Sequence, residues 1–442
     1  MVDLVYIKQN AEQMRENMQS RNLDPSIIDN FLVVEKELKL IQKKIEETNR
    51  LKNENAQHLV KLSDKKSEEA LSFIIAGKKI KETLQELEIT HIPLEKKYLD
   101  LSFKIPNILS SDTPFGHDES ENMVIRKVGT PRQFSFKPLD HYELGKRLDL
   151  FDNEHAAKIT GARFTYVKKS AALLEFALIQ LVMQTLTDEL TIKKIIEDNK
   201  LDLKTTPFIP ILPPVFIKPE VMQRMGRLEP KDERYHTEAD DLYLIGSAEH
   251  TLGPIHMDEI IREEDLPIRY IGFSTSFRRE AGSYGKDTKG IFRMHQFDKL
   301  EMESFSLPER SSDEQLLFVA IQEYLVQSLG LPYQVVSICT GDIGTPDFRQ
   351  FDIETWMPSQ NMYRETHTSD LMTDYQARRL NIRVKRNMEE TQFVHMNDGT
   401  AFAIGRILIA IIENNQQEDG SIAIPEALLQ FMPMNRKDGI IR

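Results

Sequence analysis

The chain has 442 residues, 40% of them hydrophobic, with 57 Lys and Arg against 70 Asp and Glu and a formal net charge of −13. That length exceeds one ordinary domain, and the acidic balance excludes a surface coated in positive charge for non-specific nucleic-acid binding, so any polyanion site must be local. The single cysteine, Cys339, excludes an intramolecular disulfide and offers no Cys/His cluster for a closed zinc site, so no structural zinc is expected and a cytoplasmic, reducing compartment is.

The first residues, MVDLVYIKQNAEQMREN, lack a basic segment followed by a long apolar run, and no segment approaches 18 uninterrupted apolar residues; no membrane partner is expected. From residue 31 the apolar positions Phe31, Val34, Leu38, Ile41 and Ile45 step by three and four, the seam of a coiled-coil helix. A second seam follows at Ile80, Leu84, Leu87, Leu94, Tyr98 and Leu101. Two helices of opposite direction, joined near residues 57–70, make a long hairpin with arms on the order of 40 Å or more at about 1.5 Å per residue. Pro93, just beyond His91 on the second seam, predicts a kink or a helix break. Residues 33–104 hold 15 Lys and Arg against 13 Asp and Glu, which makes this hairpin the less repulsive end for a polyanion. Lys43, Lys44, Lys65, Lys66, Lys78 and Lys79 read either as a solvated helix face or as contacts to a nucleic-acid backbone.

Residues 105–125, IPNILSSDTPFGHDESENMVI, are rich in Pro, Ser and Asp without periodicity. They place a linker over 106–125 between a helical domain at 1–105 and a second domain at 126–442. Helical patterning dominates from about 140 to 200. Thereafter the short β-rich runs PPVFIKP, DLYLIG, PIRYIGFSTSF, IFRMHQFDKLEMESF, YQVVSICTG and QFDIETWMP alternate with turns. VHMNDGT then leads into AFAIGRILIAIIENNQ, a helix apolar on most sides and therefore buried. The fold class is α+β: an antiparallel helical coiled-coil arm, then a mainly antiparallel sheet flanked by helices.

One window gathers charge and glycine: FRREAGSYGKDTKGIFRMHQFDKLEM, residues 277–302. Strand-like IGFSTSFRRE enters the loop AGSYGKDTKG and strand-like IFRMHQFDKLEM leaves it, a long hairpin. It can aim Arg278 and Arg293 at one site beside the flat face of Phe297. Guanidinium groups donate two parallel hydrogen bonds to phosphate, so arginines with an aromatic face fit a nucleotide, although a charged hairpin is more often simply solvated. No GxxxxGK[ST] and no GxGxxG opening a helix after a strand is present. Arg406, beside Gly405 at the start of an apolar helix, either pairs with a core carboxylate or stacks on the same base. In FDIETWMPSQNMYRETHTSD, residues 351–370, Asp352, Glu354 and Glu365 supply oxygens of the kind magnesium takes alongside phosphate, with Asp352 and Glu354 reading more simply as strand-edge charges.

FRREAGSYGKDTKGIFRMHQFDKLE resembles motif 2 of the class II aminoacyl-tRNA synthetases in its seryl form, and AFAIGRILIAIIENNQ resembles motif 3. TGDIG, RETHTSD, IPNILSSDTPFGHDESEN and the helical hairpin also resemble seryl-tRNA synthetases, over nearly the whole chain. A looser resemblance to motif 1, the dimer-forming element, covers the helix near 175–200 and PILPPVFIKP with Pro214. The resemblance implies a homodimer that activates L-serine with ATP and magnesium and transfers it to the 3′ end of tRNA(Ser), with tRNA(Sec) a second candidate acceptor. It implies that the arm of one subunit grips the tRNA charged by the other.

Carried over by motif, Arg278 clamps the α-phosphate, Arg279 and Glu280 belong to the ATP site, and Arg293 holds the γ-phosphate end. Phe297 and Arg406 enclose adenine, Arg278, Arg293 and Arg406 carry the chemistry, and Glu365, Thr366, His367 and Thr368 line the nucleotide, with Glu365 and Thr368 on the metal. For serine the resemblance implies Ser247, Ala248 and Glu249, with Arg278, Glu301 on the ammonium and Thr400 at the hydroxyl. Three departures stand out. Ser247 replaces a frequent threonine and keeps its hydroxyl; Asp398 sits where an amide is common and adds negative charge at the serine pocket. His250 stands where a small apolar residue is frequent and reads as a packed, hydrogen-bonded side chain. A carrier-protein-loading relative would lack the arm, and an inactive paralogue would lose Arg278, Arg293, Glu365 or Arg406, all of which are present.

Overall fold

The computed structural model describes residues 1–64, 66–281, 290–386, 390–433 and 438–442. Lys65 and nearly all of the AGSYGKDTKG loop therefore lie outside the described residues. The chain divides into two compact units, Met1–Pro106 and Asn107–Arg442.

The first unit is dominated by two antiparallel helices, α1 (Ser26–Lys61) and α2 (Glu68–Lys104). Ile28, Phe31, Val34 and Leu38 of α1 are buried, whereas Ile41 and Ile45 farther along it are half-buried. The Phe31 and Tyr98 rings stack at 4.9 Å, and His58 stacks on Phe73 at 5.5 Å near the turn. The hydroxyl of Ser67 accepts from the Ala70 N–H at 3.1 Å and caps α2. The helix break predicted at Pro93 does not occur, for α2 runs through it unbroken. Pro93 deprives only the Ile89 carbonyl of its donor, and Ile89 and Ile92 lie exposed where water can take that acceptor, while Leu84 and Tyr98 keep the seam engaged on either side.

In the second unit the core helices are α3 (Lys169–Thr187), α4 (Ser311–Ser328) and α5 (Ile404–Asn414). The main sheet has eight strands: β1 (Met123–Val128), β2 (Ile209–Ile211), β3 (Ile268–Phe277), β4 (Gln296–Ser306), β5 (Tyr333–Ser337), β6 (Arg349–Met357), β7 (Met362–Thr373) and β8 (His395–Ala403). Their order is β1-β5-β6-β7-β8-β4-β3-β2, antiparallel throughout except for the β2/β3 edge. The runs PPVFIKP and DLYLIG contribute instead to a small three-stranded sheet of Phe216–Ile217, Leu242–Leu244 and His236–Thr237. IFRMHQFDKLEMESF enters its strand at Gln296, later than the sequence suggests, and VHMNDGT extends as strand to Ala403. α3 is long and apolar enough to cross a membrane by length and composition, yet Ala171, Leu174, Leu178 and Val182 are buried in this unit's core.

Strand alternation assigns the two faces of β4. Leu300 and Met302 join the apolar core with α3, α4 and α5, while Lys299, Glu301 and Glu303 point to the other face. Residues 107–122 are tied along 339–348: the Asn107 amide donates to the Pro346 and Met372 carbonyls at 2.9 and 2.8 Å, and the Ser110 N–H to the Phe348 carbonyl at 2.8 Å. Among the described residues, one ion pair is wholly enclosed. Arg269 of β3 and Glu314 of α4 are both fully buried, bonded at 2.7 and 2.9 Å, and Arg269 also donates to the carbonyls of Lys204 and Thr206. Removing one partner strands the other charge, so Glu314→Ala is expected to cost about 3–5 kcal/mol, measured as the shift in urea unfolding of the full chain.

Candidate active site

The register of β3 on β4 sets the site. Phe297 lies opposite Ser276, Lys299 opposite Ser274 and Glu301 opposite Gly272. Pairing continues past the strand ends, because the Arg278 N–H donates to the His295 carbonyl at 3.0 Å. Arg278 and Arg293 therefore leave the hairpin at the mouth of one cavity of about 670 Å³. Its lining includes Arg278, Glu280, Arg293, Phe297, Lys299, Glu365, Thr366, Thr368, Thr400 and Arg406. The Arg278 guanidinium lies 5.4 Å from the Phe297 ring centroid, and that of Arg406 5.0 Å from Phe292. Arg293 donates to the Glu280 carboxylate at 3.2 Å; Glu280 itself holds a left-handed backbone, φ 52°, at the turn out of β3.

Arg406 donates to the Glu365 carboxylate at 2.7 Å and to the Glu365 carbonyl at 3.0 Å, and both residues line the cavity. Desolvation raises the Glu365 carboxyl, but Arg406 and Arg278 outweigh it and hold the group below the usual carboxylate range. Thr368 and Thr400 hydroxyls meet at 3.3 Å across β7 and β8. Glu365 and Thr368 thus present a carboxylate and a hydroxyl oxygen, a donor set that suits a hard cation completed by phosphate oxygens and water. Asp352 and Glu354 do not line the cavity; Gln350 and Gln334 donate to them, and burial raises both carboxyls.

Two other predicted residues, Arg279 and His367, are not among the cavity lining. Arg279 contributes its N–H to the Glu233 carbonyl, and the fully buried His367 bonds the Thr366 hydroxyl at 2.8 Å beside Phe402. Thr366 lines the cavity, yet its hydroxyl donates to the Ile353 carbonyl at 3.1 Å.

Lys299 joins the cavity to a second, buried group of residues. Its ammonium donates to the Ser247 hydroxyl at 3.0 Å and pairs with Glu301 at 2.5 Å, and Ser247 donates to Glu301 at 3.2 Å. Gly272 makes room here: a Cβ would stand 2.7 Å from Leu252, against which the Ser247–Leu252 turn packs, with Ala248 sunk in the apolar core. Glu249, Glu301 and Asp398 bring carboxylate oxygens within 4.8 Å of one another. Glu303 opposes Asp398, and Asp398 opposes Asp370, a row of buried acids across three strands. Burial, then Asp398, Glu249 and Glu301, push the Glu303 carboxyl well up. Arg227, mostly buried and absent from any sequence expectation, reaches Asp398 at 3.1 Å and Glu249 at 3.4 Å. Burial raises the Glu249 carboxyl, but Arg227 first and Lys299 next overcome it and hold that group well below the carboxylate range.

These features, an antiparallel sheet bearing an arginine hairpin and an arginine-led closing helix at one cavity, define a class II aminoacyl-tRNA synthetase core. The family model of the tRNA synthetase class II core domain (G, H, P, S and T) matches residues 232–415, and that of the seryl-tRNA synthetase N-terminal domain matches residues 1–109. The serine–tRNA ligases of Dictyoglomus turgidum and Dictyoglomus thermophilum are 40% and 41% identical, each over 98% of this chain and 98% of the relative. Among solved structures, seryl-tRNA synthetase from Pyrococcus horikoshii complexed with ATP has a TM-score of 0.86 at 34% identity, covering 98% of both chains. Cytoplasmic serine–tRNA ligase from Naegleria fowleri in complex with AMP has a TM-score of 0.81 at 27% identity, over 99% of this chain and 97% of that one. The chain belongs to the seryl-tRNA synthetase family, as its motifs and helical arm imply.

His250 is the packed side chain expected of it. Its Nδ1 accepts the Gly246 N–H at 3.1 Å, and burial pushes its pKa down to about 3. The ordinary value of about 6.5 holds in the unfolded chain, so below that pH the unfolded state binds the extra proton and this site's stabilisation fades as pH falls toward 3. His250→Gln, which keeps an acceptor without the titration, should gain on wild type by about 1.4 kcal/mol per pH unit below about 6.5, read as the difference in unfolding midpoints at pH 7.5 and 5.0.

Proposed function

We propose that ATP occupies the arginine-lined cavity and L-serine the adjoining carboxylate-lined recess, with Lys299, Thr368 and Thr400 between them. The carrying observation is the convergence of Arg278, Arg293, Arg406 and Phe297 on one cavity that adjoins Glu249, Glu301 and Asp398. Arg278 takes the α-phosphate, Arg293 the γ-phosphate end, and Phe297 and Arg406 the two faces of adenine. Glu249 and Glu301 take the serine ammonium through charge-assisted bonds, Ser247 supports Glu301, and Thr400 meets the hydroxyl. Glu365 and Thr368 would hold magnesium, which would supply neutralisation of phosphate charge.

With both substrates held, a serine carboxylate oxygen attacks the α-phosphorus as the bond to pyrophosphate breaks. Arg278 stabilises the charge gathering on the equatorial oxygens. The terminal ribose hydroxyl of tRNA then attacks the seryl carbonyl and AMP leaves. Because Ser247, Thr400 and the carboxylates hydrogen-bond polar groups of serine, alanine leaves partners unmatched and is rejected by about 10⁴-fold or more, whereas threonine is excluded only by fit.

The arm grips the long variable region of tRNA(Ser), a reading supported by exposed Lys43, Lys44, Lys66, Lys78 and Lys79. A homodimer is supported by large apolar side chains left exposed on the motif 1 segment, among them Phe176, Leu190 and Leu212. The buried free thiol of Cys339 suits the cytosol.

Amino-acid-dependent ATP–pyrophosphate exchange without tRNA tests the assignment. Serine alone should drive it among serine, threonine, alanine and glycine, and no exchange from a folded protein refutes it. Charge reversal at Lys78 and Lys79 should lower tRNA charging about tenfold or more while leaving that exchange intact. Sedimentation should give twice the chain mass.

A further inference from the structure

We propose that Arg227 is a positioning residue for serine: it bridges Glu249 and Asp398 across the amino-acid recess, so that an aspartate can stand at position 398 without silencing the ammonium-binding carboxylates. The inference rests on the serine-site reading above and adds a residue to it.

Arg227 enters the recess from the end of the Pro219–Met225 helix, where Gly226 adopts a left-handed turn, φ 76°, that a Cβ would strain. Its Nη2 lies 3.1 Å from Asp398 on β8, and its Nε lies 3.4 Å from Glu249 on the Ser247–Leu252 turn. One guanidinium therefore spans the two walls between which the third carboxylate, Glu301, also lies. Like charges this close cannot all stay ionised without a cation. Lys299 serves Glu301, on the side of the ATP cavity; Arg227 is the cation that touches Glu249 and Asp398. Take it away and Asp398 faces Glu249 and Glu301 unopposed, the recess sheds charge by taking up protons, and the ammonium of serine loses an ionised partner.

The bonding is also incomplete in a way that suits a ligand. Arg227 Nε, Glu301 Oε1 and Asp398 Oδ1 are buried and have no aligned hydrogen-bond partner. An N–H donor and two carboxylate acceptors, all at the recess, complement a group carrying both an ammonium and a hydroxyl. Arg227 does not line the ATP cavity. A tether that merely held the fold would disturb both substrates; a residue that sets the charge of the recess disturbs serine alone.

A double-mutant cycle of Arg227→Gln and Asp398→Asn, read as separate KM values for serine and ATP in pyrophosphate exchange, tests this. Arg227→Gln should raise the KM for serine about tenfold or more, as close charge pairs commonly do, and shift that for ATP by no more than about twofold. Adding Asp398→Asn should recover most of the loss, because it removes the acid nearest to Arg227, which lies 3.1 Å away against 3.8 Å for Asp370 and 3.9 Å for Asp347. Arg227→Lys, which restores the charge and guards against a misfolded Gln variant, should give a serine KM several-fold below that of Arg227→Gln. Additive effects, or serine and ATP values that rise together, overturn the proposal and leave the serine reading standing. A wild-type protein without serine-dependent exchange overturns both.

Discussion

Everything at the centre of this molecule depends on one register, that of β3 against β4. Side chains alternate across a strand, so a slip of one residue would exchange the two faces. Lys299 and Glu301 would turn into the helix-covered core, and Leu300 and Met302 into the substrate recess. The core prevents this, since Leu300 and Met302 are fully buried among the residues of α3, α4 and α5. The buried Arg269–Glu314 pair fixes the facing strand, β3, from α4. Apolar packing on one face thus fixes where charge stands on the other.

The charge itself is arranged in two regimes. In the arginine-lined cavity, Arg278 and Arg406 lie over aromatic rings. In the adjoining recess, carboxylates outnumber cations among the described residues and are buried. Lys299 stands at the junction, bonded to Ser247 and Glu301 yet lining the cavity. The polarity of the site therefore runs from positive to negative along one strand, matching a reaction that joins a polyphosphate to an ammonium-bearing acid.

What was legible in the sequence was what is local along the chain. Arg278, Arg293 and Phe297 sit within one hairpin, and Gly405 and Arg406 open one helix, so a short window carries their shared purpose. β7 was harder, because RETHTSD is polar on both faces: Glu365, Thr366 and Thr368 line the cavity while His367 is buried and bonds the Thr366 hydroxyl. No apolar alternation marks such a strand. Arg227 left no trace at all, since its partners lie 22 and 171 positions away and only the fold brings them together. At Pro93 local propensity argued for a kink or a break, and packing along the seam kept the helix from breaking.

The graded burial along the arm has a consequence for its motions. α1 buries Ile28, Phe31, Val34 and Leu38 at one end, but beyond them its seam is only half covered, and Val60 near the turn is largely exposed. Local opening costs least where few apolar contacts must be broken. Amide protons in the outer turns of α1 should therefore exchange with solvent more readily than those around Phe31. The hairpin is a spring clamped at one end, compliant where it is free and rigid where it is rooted.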